Sequence, residues 1–460
     1  MSIVVHCSYD SKHESSNLAE WVSYPRRGWR IPLACTVLLV VVGCSSYEPR
    51  PLPDSPQWAT DMEAGVSPLT VDQVVSGALE ASPDVRRAQR EVDVARARRY
   101  ADGLLPDPTL SFSTDRPGAE GFVPAFMVGL SYEVSALVDR PAKKRAADAF
   151  LDEKQLALAW TRWQVANHAY ALYVQNVSLE RLEAESGQMT AHLNDVSNRM
   201  DTALERADVT RDAAMLAQSR YRDSAQQSGA LQQEHLKAIQ ELNTLLGLRP
   251  GTRLKLAAPP EPSDIPEDVI ARALIDLGQH RPDLLALRAG YDEQDERYRA
   301  ALLGQFPKLD VGVTRGRDTS AIYTSGLTLS VTLPLFNGNR GNIAIEKATR
   351  ESLYDEYVQR LDDAYTAVEG ITADLRLLQE QLHTERASEF ALKGSLDKAR
   401  RAYVRGNLAL PALADLESQY LTQRIASEKL ANSVLQQHVL LCTLIGVSAI
   451  DHQPLQRALP

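Results

Sequence analysis

The stretch Thr443-Leu444-Ile445-Gly446 closely repeats Thr244-Leu245-Leu246-Gly247, which lies 199 residues earlier in the chain. A second landmark behaves in the same way, because Pro83-Asp84 recurs as Pro282-Asp283 at the same offset of 199 residues. Two landmarks at opposite ends of a long unit are unlikely to share one offset by chance. The sequence therefore predicts a duplicated structural unit, and this duplication determines how the rest of the chain is divided.

Proline-rich breaks and these landmarks divide the chain into six segments. We expect a signal peptide over 1–43, an extended tether over 44–66, a first repeat over 67–255, a linker over 256–266, a second repeat over 267–450 and a C-terminal tail over 451–460. Each repeat reads as helix, strand, strand, long helix and helix. The tether and the linker are rich in proline, which disfavours the interior of a helix or a sheet.

The N-terminal region has the organisation of a secretory signal. Arg26, Arg27 and Arg30 precede the largely apolar run 31–42, which is shorter than the ~20 residues that span a bilayer. Small residues then precede Cys44, an order that resembles a bacterial lipoprotein signal with cleavage before this cysteine and acylation of it. An ordinary signal peptide with an incidental cysteine is the alternative. The serine after Cys44 fits outer-membrane retention in such lipoproteins.

Composition argues against several classes of protein. Beyond the leader only Cys44 and Cys442 remain, which excludes an intramolecular disulfide framework. The nine histidines are dispersed, so no helical His-x-x-x-His metal pair exists. The net charge of −10 disfavours nucleic acid as a partner. The common phosphate-loop, zinc-protease and serine-hydrolase motifs are missing from the sequence, so we expect no enzyme. No cofactor is expected beyond covalent acyl chains on Cys44.

Alternating residues predict a pair of strands in each repeat. Apolar side chains alternate with small polar ones over 126–134 and 323–333, and shorter partners run through 110–112 and 309–313. The chain beyond the leader has no long apolar run, so any membrane crossing in it would use strands. A transmembrane strand needs this apolar-out, small-polar-in alternation over about 9–11 residues. A soluble, half-buried sheet shows the same alternation and stays an alternative.

Most of the remaining sequence predicts long helices. Residues 143–204 contain no proline and one glycine, and 342–405 are similar. About 60 helical residues reach roughly 90 Å, which is longer than a globular domain requires. Leucines at three- and four-residue spacings predict coiled-coil packing, although a solvated stalk would explain these helices equally well. Shorter helices are expected over 71–104 and 265–304.

Two strand pairs give only four strands in a chain. Four strands cannot close a barrel, and an open edge in lipid leaves unpaired backbone groups at several kcal/mol each. The chain must therefore share a barrel with other copies or keep its strands out of the membrane. The signal sequence favours the first choice, and the strand count alone allows a dimer as well as a trimer.

Three features of this chain resemble the TolC-like outer-membrane efflux factors. They are the duplicated unit, the stretch Gly103-Leu104-Leu105-Pro106-Asp107-Pro108 before the first strand, and the stretch Leu333-Pro334-Leu335-Phe336-Asn337-Gly338 after the last strand. The resemblance covers about residues 67–450. It implies a mainly α fold with a small β part, built as a homotrimer. Three chains would form one 12-stranded outer-membrane β-barrel continued by a 12-helix periplasmic α-barrel.

The same resemblance implies a function and a location. The protein would be the passive exit duct of a tripartite efflux pump, working with a periplasmic adaptor and an inner-membrane pump of the RND type. It would lie in the outer membrane of a Gram-negative bacterium, anchored by lipid, with a large periplasmic part. A periplasmic coiled-coil lipoprotein acting as a scaffold or adaptor is the alternative, although an adaptor would carry a lipoyl-like domain of many strands.

Functional residues are expected at the turns between the long helices. The stretch 403–408 resembles the Tyr-x-x-Gly hairpin tip at which the family's adaptor docks, and Ala207 stands at the glycine-equivalent position of the first repeat. A simple helix C-cap would also explain Gly406. Six residues are expected to form the docking tips: Arg206, Ala207, Asp208, Arg405, Gly406 and Asn407.

The resemblance also implies a periplasmic gate formed by Tyr403 and Asp415. Threefold repetition of Asp415 would place three carboxylates around a pore, which favours cations. An exposed, solvated helix face is the alternative for this residue. The basic stretch 138–145 reads as a turn that resembles the family's metal-cation branch, although it lacks that branch's glycine.

Overall fold

The structure is a computed structural model that describes residues 47–58, 67–118, 120–259 and 265–449. The expected signal peptide and the expected acylation of Cys44 lie outside the described residues, as does the expected tail over 451–460. The chain divides into two units, Met1–Gln57 and Trp58–Pro460. In the described part of the first unit, residues 47–57 contain no helix or strand.

The second unit is mainly helical and contains one small sheet. Its first half contains α1 (Val71–Ala81), α2 (Pro83–Gly103), β1 (Thr109–Asp115), β2 (Ala125–Glu133), α3 (Ala136–Glu205) and α4 (Arg211–Leu245). Its second half contains α5 (Glu267–Ile275), α6 (Leu277–His280), α7 (Pro282–Leu303), β3 (Lys308–Arg317), β4 (Tyr323–Thr332), α8 (Arg340–Val404) and α9 (Leu410–Ile445).

The predicted strands and long helices are confirmed, but the two shorter helices are not continuous. The helix expected over 71–104 breaks at Ser82, and the helix expected over 265–304 breaks around Asp276 and Arg281. Pro83 and Pro282 each occupy the first position of a new helix. Proline has no backbone N–H to donate and its ring clashes with the preceding turn, so it begins a helix instead of continuing one.

The connections from strand to long helix differ between the halves. Only Val134 and Ser135 separate β2 from α3, so the basic stretch 138–145 lies within α3, and the prediction of a turn there is wrong. The short connection leaves no residues for a separate turn. Seven residues separate β4 from α8, and there Gly338 and Asn339 have φ angles of +51° and +55°.

The four strands form one antiparallel sheet in the order β1-β2-β3-β4. Leu130 of β2 lies opposite Leu110 of β1 and Val313 of β3, and Val313 lies opposite Leu327 of β4. This register places most of the apolar side chains on one face, which also carries Arg315 and Arg317, and mainly small polar side chains on the other. The apolar face is exposed in a single chain, since Leu327 is 85% exposed. Among the described residues β1 and β4 pair with one strand each, so both edges are open.

The main core lies where α1, α3, α4, α8 and α9 meet, and it includes residues from the middle of α3 and α8. Tyr170 and Tyr173 of α3 are fully buried there. The Tyr173 hydroxyl lies 2.9 Å from the carbonyl oxygen of Leu69 and 2.7 Å from that of Ala257. It therefore ties the segment before α1 to the segment after α4. Among the described residues no helix combines the length and the apolar composition that a membrane crossing requires.

Candidate functional site at the helical hairpin tips

The turns that join α3 to α4 and α8 to α9 have the same backbone geometry. In the first turn the N–H of Ala207 donates to the carbonyl of Leu204, and the N–H of Asp208 donates to that of Ala203, both at 2.9 Å. The residues 199 positions later make the same two bonds at the same distances. This pattern is the Schellman motif, which satisfies carbonyl groups left open at the end of a helix.

The left-handed residue of each motif is Ala207 in the first turn and Gly406 in the second, with φ angles of +60° and +77°. Glycine adopts this conformation freely, whereas an L side chain costs about 1–2 kcal/mol there. The alanine therefore keeps the shape of the turn and adds strain to it. The sequence predicted that these two residues are equivalent, and the structure places them in equivalent positions.

All six predicted docking residues are exposed at these turns. Among the described residues, no ion pair involves Arg206, Asp208 or Arg405. Below the tips, Val209 of the first turn and Leu410 of α9 pack against one shared apolar cluster of both hairpins. The tips therefore combine a packed base with polar side chains that face solvent, an arrangement suited to contact with another protein.

The two predicted gate residues have different surroundings. Asp415 lies in the second turn of α9, where its Oδ1 atom is 2.7 Å from Nη2 of Arg220 on α4. Gln419 donates a hydrogen bond of 2.8 Å to the other carboxylate oxygen. Tyr403 lies in the last turn of α8, is 37% exposed and makes no side-chain hydrogen bond within the described ranges. The structure thus pairs Asp415 with Arg220, not with Tyr403.

A buried carboxylate lies half a turn beyond Asp415. The Glu417 side chain is only 5% exposed, and its Oε1 atom accepts hydrogen bonds of 3.1 and 3.0 Å from Nε and Nη2 of Arg400 on α8. Its Oε2 atom lies 2.9 Å from Nε2 of His192 on α3. Glu417 therefore joins three helices, and a buried charge held in this way is costly to leave without its partners.

Arg424 makes a similar connection two turns further along α9. Its Nε atom lies 2.5 Å from Glu185 on α3, and its Nη1 atom lies 3.0 Å from Glu389 on α8. The hydrogen bond that the Arg424 guanidinium donates to the Glu185 carboxylate raises the pKa of Arg424 above its ordinary value. We call the charged pairs between the two hairpins the inter-hairpin row, which consists of Arg220–Asp415, His192–Glu417, Arg424–Glu185, Arg181–Glu428 and Lys429–Glu234.

Sequence reasoning found Asp415 and missed the rest of this row. Charged residues occur along every long helix, so single positions carry little information. A usable signal exists in α9, where Glu417, Leu421, Arg424 and Glu428 follow one another at spacings of four and three residues and so share one face. The described part of the chain contains no cluster of three or more His, Cys, Asp or Glu side chains placed to hold a metal ion.

Comparison with known proteins gives consistent matches. Residues 274–447 match the family described as outer membrane efflux protein. The cation efflux system protein CusC of Escherichia coli O157:H7 is 22% identical over 380 residues, which cover 77% of this chain and 81% of CusC. The probable outer membrane lipoprotein SilC of Salmonella typhimurium is 21% identical over 441 residues, which cover 85% of this chain and 93% of SilC.

Solved structures with the same fold include two outer-membrane channels. The Campylobacter jejuni CmeC outer membrane channel superimposes with a TM-score of 0.70 at 16% identity, over 90% of this chain and 97% of CmeC. The outer-membrane channel OprN superimposes with a TM-score of 0.68 at 18% identity, over 88% of this chain and 100% of OprN. At these identities the superpositions establish a shared fold.

Proposed function

Because this chain belongs to the TolC-like outer membrane efflux protein family, we propose that it is the exit duct of a tripartite efflux pump in the outer membrane. It conducts cargo passively, while an inner-membrane transporter of the RND type supplies energy through a periplasmic adaptor. The observation that carries the proposal is that one chain combines a sheet that has an apolar face with long helices. The 70 residues of α3 alone reach roughly 100 Å.

The open sheet edges support a homotrimer. In lipid each unpaired backbone group costs several kcal/mol, so β1 of one copy pairs with β4 of the next until the ring closes. Three chains of four strands each supply a 12-stranded β-barrel with its apolar face toward lipid and its small polar face toward the lumen. The long helices of the three copies continue this barrel as a 12-helix α-barrel.

The hairpin tips serve as the docking site of the adaptor. This assignment is supported by the exposure of the predicted docking residues and by the apolar packing beneath them. Asp415 and Tyr403 form the periplasmic gate, and the Arg220–Asp415 pair of 2.7 Å holds the gate residue in place while the tunnel is closed. Acyl chains on Cys44 anchor each chain to the membrane.

The proposal is tested by deleting the gene in a strain that lacks other channels of this family. Cell content and growth inhibition are measured for metal cations, cationic dyes and antibiotics. Metal cations come first because CusC is named as part of a cation efflux system. Deletion is expected to raise the cell content of at least one cargo, and the wild-type gene is expected to restore it. Unchanged content of every compound would contradict the proposal.

As a control for docking, the deletion strain also receives the double variant Arg206→Glu, Arg405→Glu. Both residues are exposed and lie outside every ion pair of the described residues, so this variant is expected to fold and to reach the outer membrane normally. It is expected to fail to restore efflux, because reversed charges at both tips oppose the adaptor surface. Full restoration by this variant would exclude the tips as the docking site.

A further inference from the structure

The apolar face of the sheet changes in character at the end that lies farthest from the helices. One row of aliphatic side chains crosses the middle of all four strands: Leu110, Leu130, Val313 and Leu327. The next row toward the turns contains Arg315, and the row after it contains Phe126, Arg317 and Tyr323. We call these last four residues the arginine rim. A face that is otherwise apolar therefore carries two guanidinium groups at one end.

No carboxylate of the strands offsets the charge of the arginine rim. The register places the strand carboxylates Asp115, Glu133 and Asp310 on the opposite face of the sheet. In the turn beyond the rim, Asp318 Oδ1 accepts hydrogen bonds of 2.9 Å from two backbone N–H groups of its own turn. Arg315 is exposed, and among the described residues no ion pair involves it. An anion is therefore the partner that this face lacks.

The two arginines of the rim are held differently. Arg317 Nη2 donates a hydrogen bond of 2.8 Å to the carbonyl of Pro124, and its guanidinium carbon lies 5.7 Å from the centre of the Phe126 ring. That ring in turn packs edge to face against Tyr323, with 6.4 Å between the ring centres. Arg317 is thus a fixed charge, whereas the Arg315 side chain makes no hydrogen bond within the described ranges. The two residues lie about 7 Å apart along one strand, which lets one anion interact with both charges.

A hollow of about 700 Å³ lies on the same face beside Arg315. Ser325, which is directly opposite Arg315 on β4, is small and leaves this space open. Further toward the helices the hollow is lined by Leu130, Val313 and Leu327. Its size falls within the range of small-molecule sites, which are about 300–1,000 Å³. A positive charge beside an apolar hollow suits an amphiphile that has a negative headgroup and an aliphatic chain.

The depth of the arginine rim in the membrane follows from the proposed function. The duct turns this face toward lipid, and its helices lie on the periplasmic side, so the rim lies at the outer surface of the membrane. An arginine on the lipid-facing side of a barrel is disfavoured at the bilayer midplane and tolerated near the interface. Aromatic residues such as Phe126 and Tyr323 also belong at that level. The rim therefore lies where lipid headgroups are.

We propose that the arginine rim and the hollow bind a lipid with an anionic phosphate headgroup, one lipid for each chain. This inference rests on the proposed duct function, because that function turns the face toward lipid. Arg315 donates two parallel hydrogen bonds to phosphate oxygens, a geometry that the guanidinium group favours. Arg317 adds a second positive charge, and one acyl chain lies along the aliphatic lining of the hollow. Each trimer then holds three such lipids around its outer end.

The test is a lipid titration of the full chain purified in detergent, followed by native mass spectrometry. The probe is dioleoyl phosphatidic acid. Dioleoylglycerol has the same chains without the phosphate, and glycerol phosphate has the phosphate without the chains. Arg315→Gln removes the charge from an exposed position of the rim. Arg222→Gln is the matched control, because Arg222 is an exposed arginine of α4 and is likewise outside every ion pair of the described residues.

We expect phosphatidic acid to bind the wild type and Arg222→Gln at least about tenfold more tightly than dioleoylglycerol does. Arg315→Gln is expected to bind phosphatidic acid at least about tenfold more weakly, since it loses charge-assisted hydrogen bonds. Both variants are expected to form trimers and to restore efflux in the deletion strain. Three results would overturn the inference: equal affinity for the two lipids, equal binding by Arg315→Gln and Arg222→Gln, or displacement of phosphatidic acid by an equal concentration of glycerol phosphate.

The state of the protein separates a failure of this inference from a failure of the proposed function. A trimer that restores efflux but shows no preference for the phosphate lipid would overturn the lipid site alone. A chain that is monomeric and fails to restore efflux would contradict the duct, and the lipid site would fall with it.

Discussion

Replacing Arg424 by glutamine is expected to loosen the contact between the two helical hairpins. The Arg424 side chain is 19% exposed and lies within 3.0 Å of carboxylates on both α3 and α8. Glutamine is shorter and neutral, so it cannot bridge both helices. The substitution leaves Glu185, Glu389 and Glu428 close together without the cation that offsets their charges.

The expected size of the effect follows from these contacts. A hydrogen bond to a charged group contributes about 1.5–3 kcal/mol, and breaking a buried ion pair costs about 3–5 kcal/mol. Glu185 is 37% exposed and Glu389 is 16% exposed, so water compensates for part of the loss. We therefore expect the opening free energy of this region to fall by about 2–3 kcal/mol, which is about a 30- to 160-fold loss of protection against amide exchange.

Hydrogen–deuterium exchange of the purified protein measures this loss in the peptides around Glu185, Glu389 and Arg424. The matched control is Arg199→Gln, which removes an exposed pair between Arg199 and Asp195 within one helix. Such a pair contributes about 0.3–0.5 kcal/mol, so protection is expected to change by less than about threefold. If Arg424→Gln changes protection no more than this control does, the inter-hairpin row does not hold the hairpins together.

Three further outcomes are expected. Gly406→Ala is expected to lower the stability of the second turn by about 1 kcal/mol, and Ala207→Gly is expected to raise the stability of the first turn by about 0.5 kcal/mol. Amide exchange at the two tips measures these changes, which should have opposite signs. Changes of the same sign would contradict the shared geometry. Burial raises the pKa of Glu293 above its ordinary value of 4.5. The folded chain therefore retains this proton to higher pH than the unfolded chain does. As the pH rises past the pKa of the unfolded chain, the folded chain loses stability relative to the unfolded one. The Tm of Glu293→Gln relative to the wild type is therefore expected to increase from about pH 4 to about pH 7, and a decrease would refute the assignment. Burial raises the pKa of the Cys442 thiol to about 12, so a maleimide is expected to label Cys442 only after denaturation, as judged by peptide mass; rapid labelling of the folded protein would show that the core opens there.

The elements that local pattern controls were predictable from the sequence. The alternation over 126–134 and 323–333 located β2 and β4 to within one residue at either end, because period-two patterning is specific to strands. The long helices were found because proline is absent from 143–204 and 342–405. The breaks in the short helices depend on Pro83 and Pro282, which begin new helices because proline cannot donate the backbone hydrogen bond of a helix interior.

The candidate site was only partly predictable. The equivalence of Ala207 and Gly406 follows from a fixed offset, which sequence shows directly. The partners of Asp415 and Glu417 lie on other helices, at Arg220, His192 and Arg400, and nothing in a local pattern specifies which helices become neighbours.

Native mass spectrometry of the full chain extracted from the outer membrane tests the central claim most directly. If three chains share one barrel and one tunnel, the dominant species has three times the mass of the acylated chain. A companion gel without heating should show the same trimer surviving SDS. A dominant monomer, or recovery of the chain in the soluble periplasmic fraction after removal of its acyl chains, would contradict the duct and favour a coiled-coil scaffold.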